Sequence, residues 1–98
     1  MSITVVTRFK INREEGLKLA REGAPMLKAH GAMAMRLGYC YSGEYTGQTV
    51  AVLIYSDWEA YGRAMEARAK DASYQALFAQ VLRSGELVER TIMETQEL

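Results

Sequence analysis

Tyrosines and a single tryptophan are the residues of this chain best suited to work on a flat organic molecule. Tyr39, Tyr41, Tyr55, Tyr61 and Tyr74, with Trp58, each join an apolar ring to a polar tip. Around a cleft between a sheet and its helices, such side chains would hold an aromatic ligand and orient it by hydrogen bonds. Tyr39 or Tyr55 on the sheet, opposite Trp58 or Tyr61, is the pair most relevant to that reading. The competing reading is that the same rings fill a core. Arg8 and Arg36 could grip a carboxylate or phosphate bidentately, or simply form interface ion pairs.

Other chemistries find less support. His30 is the only histidine, and "LKAHGAM" puts no carboxylate or thiolate beside it, so no metal ion is expected. At a helix end an imidazole is favoured by the helix dipole. It would serve as a general base only if that end bordered a pocket. Cys40 is also unique, so it has neither a disulfide partner nor a resolving thiol. Nearby Arg36 would favour its thiolate, but a small apolar side chain is the simpler role. No GxxxxGK[ST] loop occurs, and no close carboxylate pair suggests glycoside hydrolysis.

Composition narrows the classes further. The 98 residues carry 12 basic and 12 acidic side chains, and 49% are apolar. Neutrality argues against nucleic acid, whose binding rests on phosphate neutralisation. It equally disfavours attachment to anionic membranes. No apolar run is long enough to span a bilayer, and "MSITVVTRFKI" does not read as a signal peptide. A single cytoplasmic domain over 1–98 is expected.

The elements that must position these side chains follow from periodicity. "SITVVTRFKI" alternates as a strand, with Ile3, Val5, Thr7 and Phe9 on one face. Asn12 and Glu15 form a capping box for a helix carrying Gly16, Ala20, Gly23 and Leu27 on one stripe. The glycines suggest close packing on the sheet. Pro25 predicts a kink or late break, and Gly31 a C-terminal cap. "AMAMRLGYCYS" is a second strand, "SGEYTG" a turn, and "QTVAVLIY" a central strand buried on both faces. Ser56 and Glu59 suggest a capping box for the next helix, with Trp58, Tyr61, Met65 and Ala69 inward. Asp71 caps another, whose face is Tyr74, Leu77, Phe78, Val81 and Leu82. The two stripes are out of step, which predicts a bend at Lys70 and Asp71. Gly85 ends the last helix, and "ELVERTIMETQ" is a polar edge strand.

The order is β-α-β-β-α(α)-β, an α+β ferredoxin-like arrangement with helices on one face of a four-stranded antiparallel sheet. The other face then exposes Thr4, Val6, Arg8, Arg36, Val50, Val52, Ile54, Val88, Arg90 and Ile92. An apolar patch of this kind marks an interaction surface, and a second copy is the natural cover. Arg8, Val50, Val52, Ile54 and Arg90 are the expected dimer-interface residues, with Glu94 a partner for the arginines. A bulge that reverses one strand's parity is the alternative.

With these elements in place, the chain resembles the dimeric α/β-barrel superfamily, which includes antibiotic-biosynthesis monooxygenases, haem-degrading monooxygenases, stress-responsive barrel proteins and NIPSNAP-like proteins. The resemblance rests on "HGAMAMRLG", "SDWEAYGRAMEARAKDASYQALF" and "GELVERTIMET". Trp58 opening a split helix, with Asp71 and Tyr74 opening its second half, is most like the NIPSNAP-like branch. The resemblance implies a homodimeric barrel. It does not carry over haem degradation: the iron-ligating His of those relatives has no counterpart in "DASYQALFAQV", and their Asn falls where this chain has Val6, Thr7 and Arg8.

The expectation is a small homodimer of unassigned activity that binds an apolar or aromatic ligand between sheet and helices. Trp58, Tyr39, Tyr55, Tyr61, Tyr74 and Arg36 are its candidate ligand-binding residues. The alternative is a cofactor-independent monooxygenase acting on an aromatic or polyketide-like substrate, with tyrosine hydroxyls and Arg36 stabilising an enolate-like anion. A non-catalytic structural or sensing module is the third reading. No cofactor is expected.

Overall fold

Alternating β-branched residues make strand β1 (Ser2–Ile11), with Ile3, Val5, Thr7 and Phe9 buried. A computed structural model describes residues 1–98. After β1 come α1 (Arg13–Ala29), β2 (Ala34–Tyr39), β3 (Thr49–Tyr55), α2 (Trp58–Lys70), α3 (Ala72–Ser84) and β4 (Gly85–Thr95). The strands form one antiparallel sheet in the order β2-β3-β1-β4, the ferredoxin-like arrangement. Helices cover one face. Ile3, Val5, Leu53 and Tyr55 on that face form a core cluster with Leu27, Ala32 and Ala64.

Register fixes the other face. Arg36, Val52, Val6 and Thr91 lie in one row across the sheet. Ala34, Ile54, Thr4 and Met93 form the next row, and Gly38, Val50, Arg8 and Glu89 a third. Val6, Val50, Val52 and Ile54 are thus outside the helix layer and only half-buried.

Strand β4 departs from its expected parity. Arg8 pairs with Glu89 but Phe9 pairs with Leu87, so Val88 is an extra residue in a bulge. Alternation counted from Leu87 puts Arg90 and Ile92 on the open face. The bulge reverses this: Arg90 pairs with Thr7 and Ile92 with Val5, on the helix side. Arg90 is therefore not on the face expected of a dimer-interface residue.

The helix ends show which local signals were realised. Asn12 Oδ1 accepts the Glu15 N–H at 3.1 Å. At the other end of α1, the N–H groups of Gly31 and Ala32 reach the carbonyls of Lys28 and Leu27, a Schellman motif with Gly31 at φ 120°. The helix continues through Pro25 without a break. A Cβ on Gly16 would lie 3.0 Å from Ile11 Cγ2, and one on Gly23 would lie 3.2 Å from Leu77 Cδ2. The second glycine therefore lets α1 approach α3 rather than the sheet. For α2 the cap is Asp57, which accepts the Ala60 N–H at 2.7 Å, one residue later than expected. Its inward face centres on Ala60 and Ala64, with Tyr61 and Met65 beside them, while Trp58 and Ala69 are exposed.

The bend falls at Asp71. Its backbone is extended (φ −98°, ψ 96°), and its Oδ1 accepts the Tyr74 N–H at 3.0 Å to start α3. Its Oδ2 meets His30 Nε2 at 2.8 Å, joining this break to the end of α1. Gln75 Nε2 donates to the carbonyls of Ala69 and Arg68, the latter also accepting the Asp71 N–H, so the end of α2 is tied to α3. The Tyr74 N–H and then His30 hold the Asp71 carboxyl below the usual range.

Gly85 follows α3 in extended conformation, with φ −162°. Its need is steric, because a Cβ would lie 2.6 Å from Lys10 O and 2.8 Å from Ile11 Cβ. Gly85→Ala should thus cost about 1–3 kcal/mol in urea unfolding. Gly62→Ala, in exposed helix with nothing within 4 Å, should be neutral or gain about 0.5–1 kcal/mol. Asp71 gives a pH prediction of defined sign. A depressed folded pKa contributes stability above the unfolded value, near 3.9, and loses it as pH falls. The urea-midpoint gap between wild type and Asp71→Asn should be present above pH ~5 and shrink below pH ~3.

Candidate functional site

Between the helix face of the sheet and helices α1 and α3 lies a cavity of about 90 Å³. Val5, Thr7 and Phe9 of β1, with Ala51 and Leu53 of β3, form its floor. Leu19, Gly23 and Leu27 of α1 face Tyr74, Leu77, Phe78 and Val81 of α3 across it. Its formation follows from the chain: small residues at Gly16, Ala20, Gly23 and Ala51 line it where larger ones would have filled it. The polar lining consists of Thr7, Thr49, Arg68, Tyr74 and Arg90.

The two arginines are the charged groups of this lining. Arg68, from the last turn of α2, donates from Nη2 to the Tyr55 hydroxyl at 2.8 Å. Its guanidinium stands 5.4 Å from the centre of the Tyr74 ring. Its Nε–H is buried and has no hydrogen-bond partner on the protein. Burial pushes the Tyr55 phenol pKa up, while Arg68 pulls it back. Arg90 donates from Nε to Thr7 Oγ1 at 3.3 Å, and the residue is solvent-exposed on the edge strand.

Of the candidate ligand-binding residues, Tyr74 lines the cavity and the others lie elsewhere. Tyr55 is fully buried beneath the helices, edge-to-face with Tyr61 at 5.4 Å. Tyr61 continues to Trp58 at 6.1 Å, so the three rings form a chain running away from the cavity. Trp58 ends it in solvent, 46% exposed, with its Nε1–H donated to Glu94. Glu94 is thereby committed to Trp58 on the helix side and does not meet the open-face arginines. Tyr39 and Tyr41 are taken up by Arg13, whose guanidinium lies 3.8 Å over the Tyr39 ring and donates to the Tyr41 hydroxyl. Arg36 is exposed on the open face. Arg8, on the same face, lies 4.1 Å beneath the Tyr45 ring. Tyr45 comes from the β2–β3 loop, and its hydroxyl reaches Glu89. That carboxylate, and then Glu44, raise the Tyr45 pKa.

Arg68 and Arg90 were not in the expected site. Arg68 carried a signal, since it follows Ala60 and Ala64 at i+4 spacing on the inward face of α2. Arg90 was concealed by the bulge. The His30 side chain is 8% exposed and bonds Asp71, and it does not line the cavity.

Known structures share this architecture. A variant of the cofactor-independent oxygenase SnoaB from Streptomyces nogalater superposes with a TM-score of 0.75 at 15% identity, covering 99% of this chain and 95% of that one. Rv0793 from Mycobacterium tuberculosis gives 0.70 at 19% identity, covering 100% and 98%. A NIPSNAP family protein from Agrobacterium tumefaciens gives 0.69 at 18%, covering 98% and 87%. At these identities the likeness is one of fold. No curated protein matches the sequence. A family model described as a domain of unknown function, DUF6854, matches residues 1–94, and the chain belongs to that family.

Proposed function

We propose that this chain is a small-molecule-binding protein whose ligand lies in the cavity between the sheet and helices α1 and α3. The apolar cavity with two guanidiniums in its lining is the observation that carries this reading. An engineered apolar cavity of about 150 Å³ takes up benzene. The cavity here, about 90 Å³, is smaller than that, so a single ring is the most it takes and a polycyclic ligand would have to displace α3. Ala51 lies on its floor. Ala51→Phe should fill the space and weaken binding of a one-ring probe such as phenol by at least about tenfold in calorimetry. Unchanged affinity would place the ligand elsewhere.

A second reading is cofactor-independent oxygenation, supported by the structural likeness to SnoaB and by the cations of the cavity. In such a reaction an acidic CH₂ beside a carbonyl would ionise, and its carbanion would supply electrons to O₂. One oxygen would remain as a new carbonyl while the other left as water with both hydrogens. The cavity lining offers guanidiniums and hydroxyls but no carboxylate or imidazole as base. The substrate would thus have to ionise in the field of Arg68 and Arg90. Oxygen uptake with enolisable aromatic ketones distinguishes this reading from binding without turnover, the sensing role.

We further infer that residues 1–98 act as one domain, in the cytoplasm, and as a homodimer packed sheet to sheet. No helix of the chain is long and apolar enough to cross a membrane. Val6, Val50, Val52 and Ile54 provide the apolar centre of the dimer face. Sedimentation equilibrium at micromolar concentration should give twice the chain mass of 11.0 kDa, and Val52→Asp should return it to 11.0 kDa. A wild-type protein of 11.0 kDa would refute the dimer.

A further inference from the structure

We propose that the ligand of the cavity is an anion, a one-ring aromatic acid whose carboxylate or phenolate oxygen pairs with the guanidinium of Arg68. This rests on the cavity being a binding site and names the class of molecule it takes. The charged groups in the lining are Arg68 and Arg90, both cations. Neither has a carboxylate within ion-pair distance; the side-chain contacts of that kind in the chain join Arg63 to Glu59 and the His30 ring to Asp71. Arg68 is half-buried, and a buried charged donor without a partner is costly. The Tyr55 hydroxyl and the Tyr74 ring hold its guanidinium in place, so an arriving anion would order little.

The remaining lining sets the body of the ligand. Val5, Leu53, Leu77 and Phe78 offer apolar surface, and the volume of about 90 Å³ limits the ligand to one ring at most. Arg90, exposed on the edge strand, extends the positive field toward solvent. A neutral ring would leave the half-buried Arg68 without a counter-charge, and an amine would be repelled.

Calorimetric titration with benzoate, benzyl alcohol and benzylammonium tests this. The wild-type protein should bind benzoate at least about tenfold more tightly than benzyl alcohol, as expected for one hydrogen bond to a charged group. Benzylammonium should bind weakest. Arg68→Met should remove the preference for benzoate, bringing the ratio of the benzoate and benzyl alcohol affinities to within about twofold of one. The wild-type comparison requires no variant to fold. Equal binding of benzoate and benzyl alcohol, both lost in Ala51→Phe, would overturn the anion while leaving the cavity as the site. Failure of all three probes to bind would overturn the cavity reading and the anion with it.

Discussion

The helix layer is organised by one carboxylate. Asp71 interrupts what would otherwise be a single helix of twenty-odd residues, spending one oxygen on the first turn of α3 and the other on His30. A continuous helix could not turn both Ala64 and Leu77 toward the same sheet, because their stripes are out of phase. The break resets the phase. It also sets Arg68, just before it, and Tyr74, just after it, on the same cavity. The tether to His30 ties that joint to the Schellman turn of α1, which packs on the opposite side of the cavity. The geometry of the site therefore depends on a capping interaction outside its lining.

The two faces of the sheet have different roles for the same reason. Three helices suffice to cover one face of four strands, and small residues at the contact leave space beneath them. The opposite face has no covering element of its own. Only Tyr45, from the β2–β3 loop, reaches across its end to Arg8 and Glu89. The apolar rows beyond it underlie the proposed pairing of two copies.

Much of this architecture was legible from residue order. Strict alternation in β1 and the aliphatic run of β3 assigned their faces correctly, because a slip of one residue would have buried Arg8 or exposed Leu53. Asp71 was legible as a cap because it sits where two apolar stripes fall out of step. Strand β4 was not, since the bulge at Val88 depends on pairing with β1 and leaves no mark in local composition. The site was less legible than the fold. Aromatic type drew attention to Trp58, Tyr39 and Tyr61, whose rings are engaged by Glu94, Arg13 and Tyr55. A cavity is defined by where side chains stop, and its most informative members here are small: Gly16, Ala20, Gly23 and Ala51. Arg68, a charged residue on an inward helical face, was the strongest overlooked signal.

A crystal of the protein pressurised with xenon probes the space under the helices independently of any ligand's chemistry, because xenon enters apolar cavities. A xenon atom is expected between the sheet and helices α1 and α3, in contact with Leu77 and the β1–β3 floor. A solidly packed interior there, with xenon absent or bound only elsewhere, would contradict that expectation.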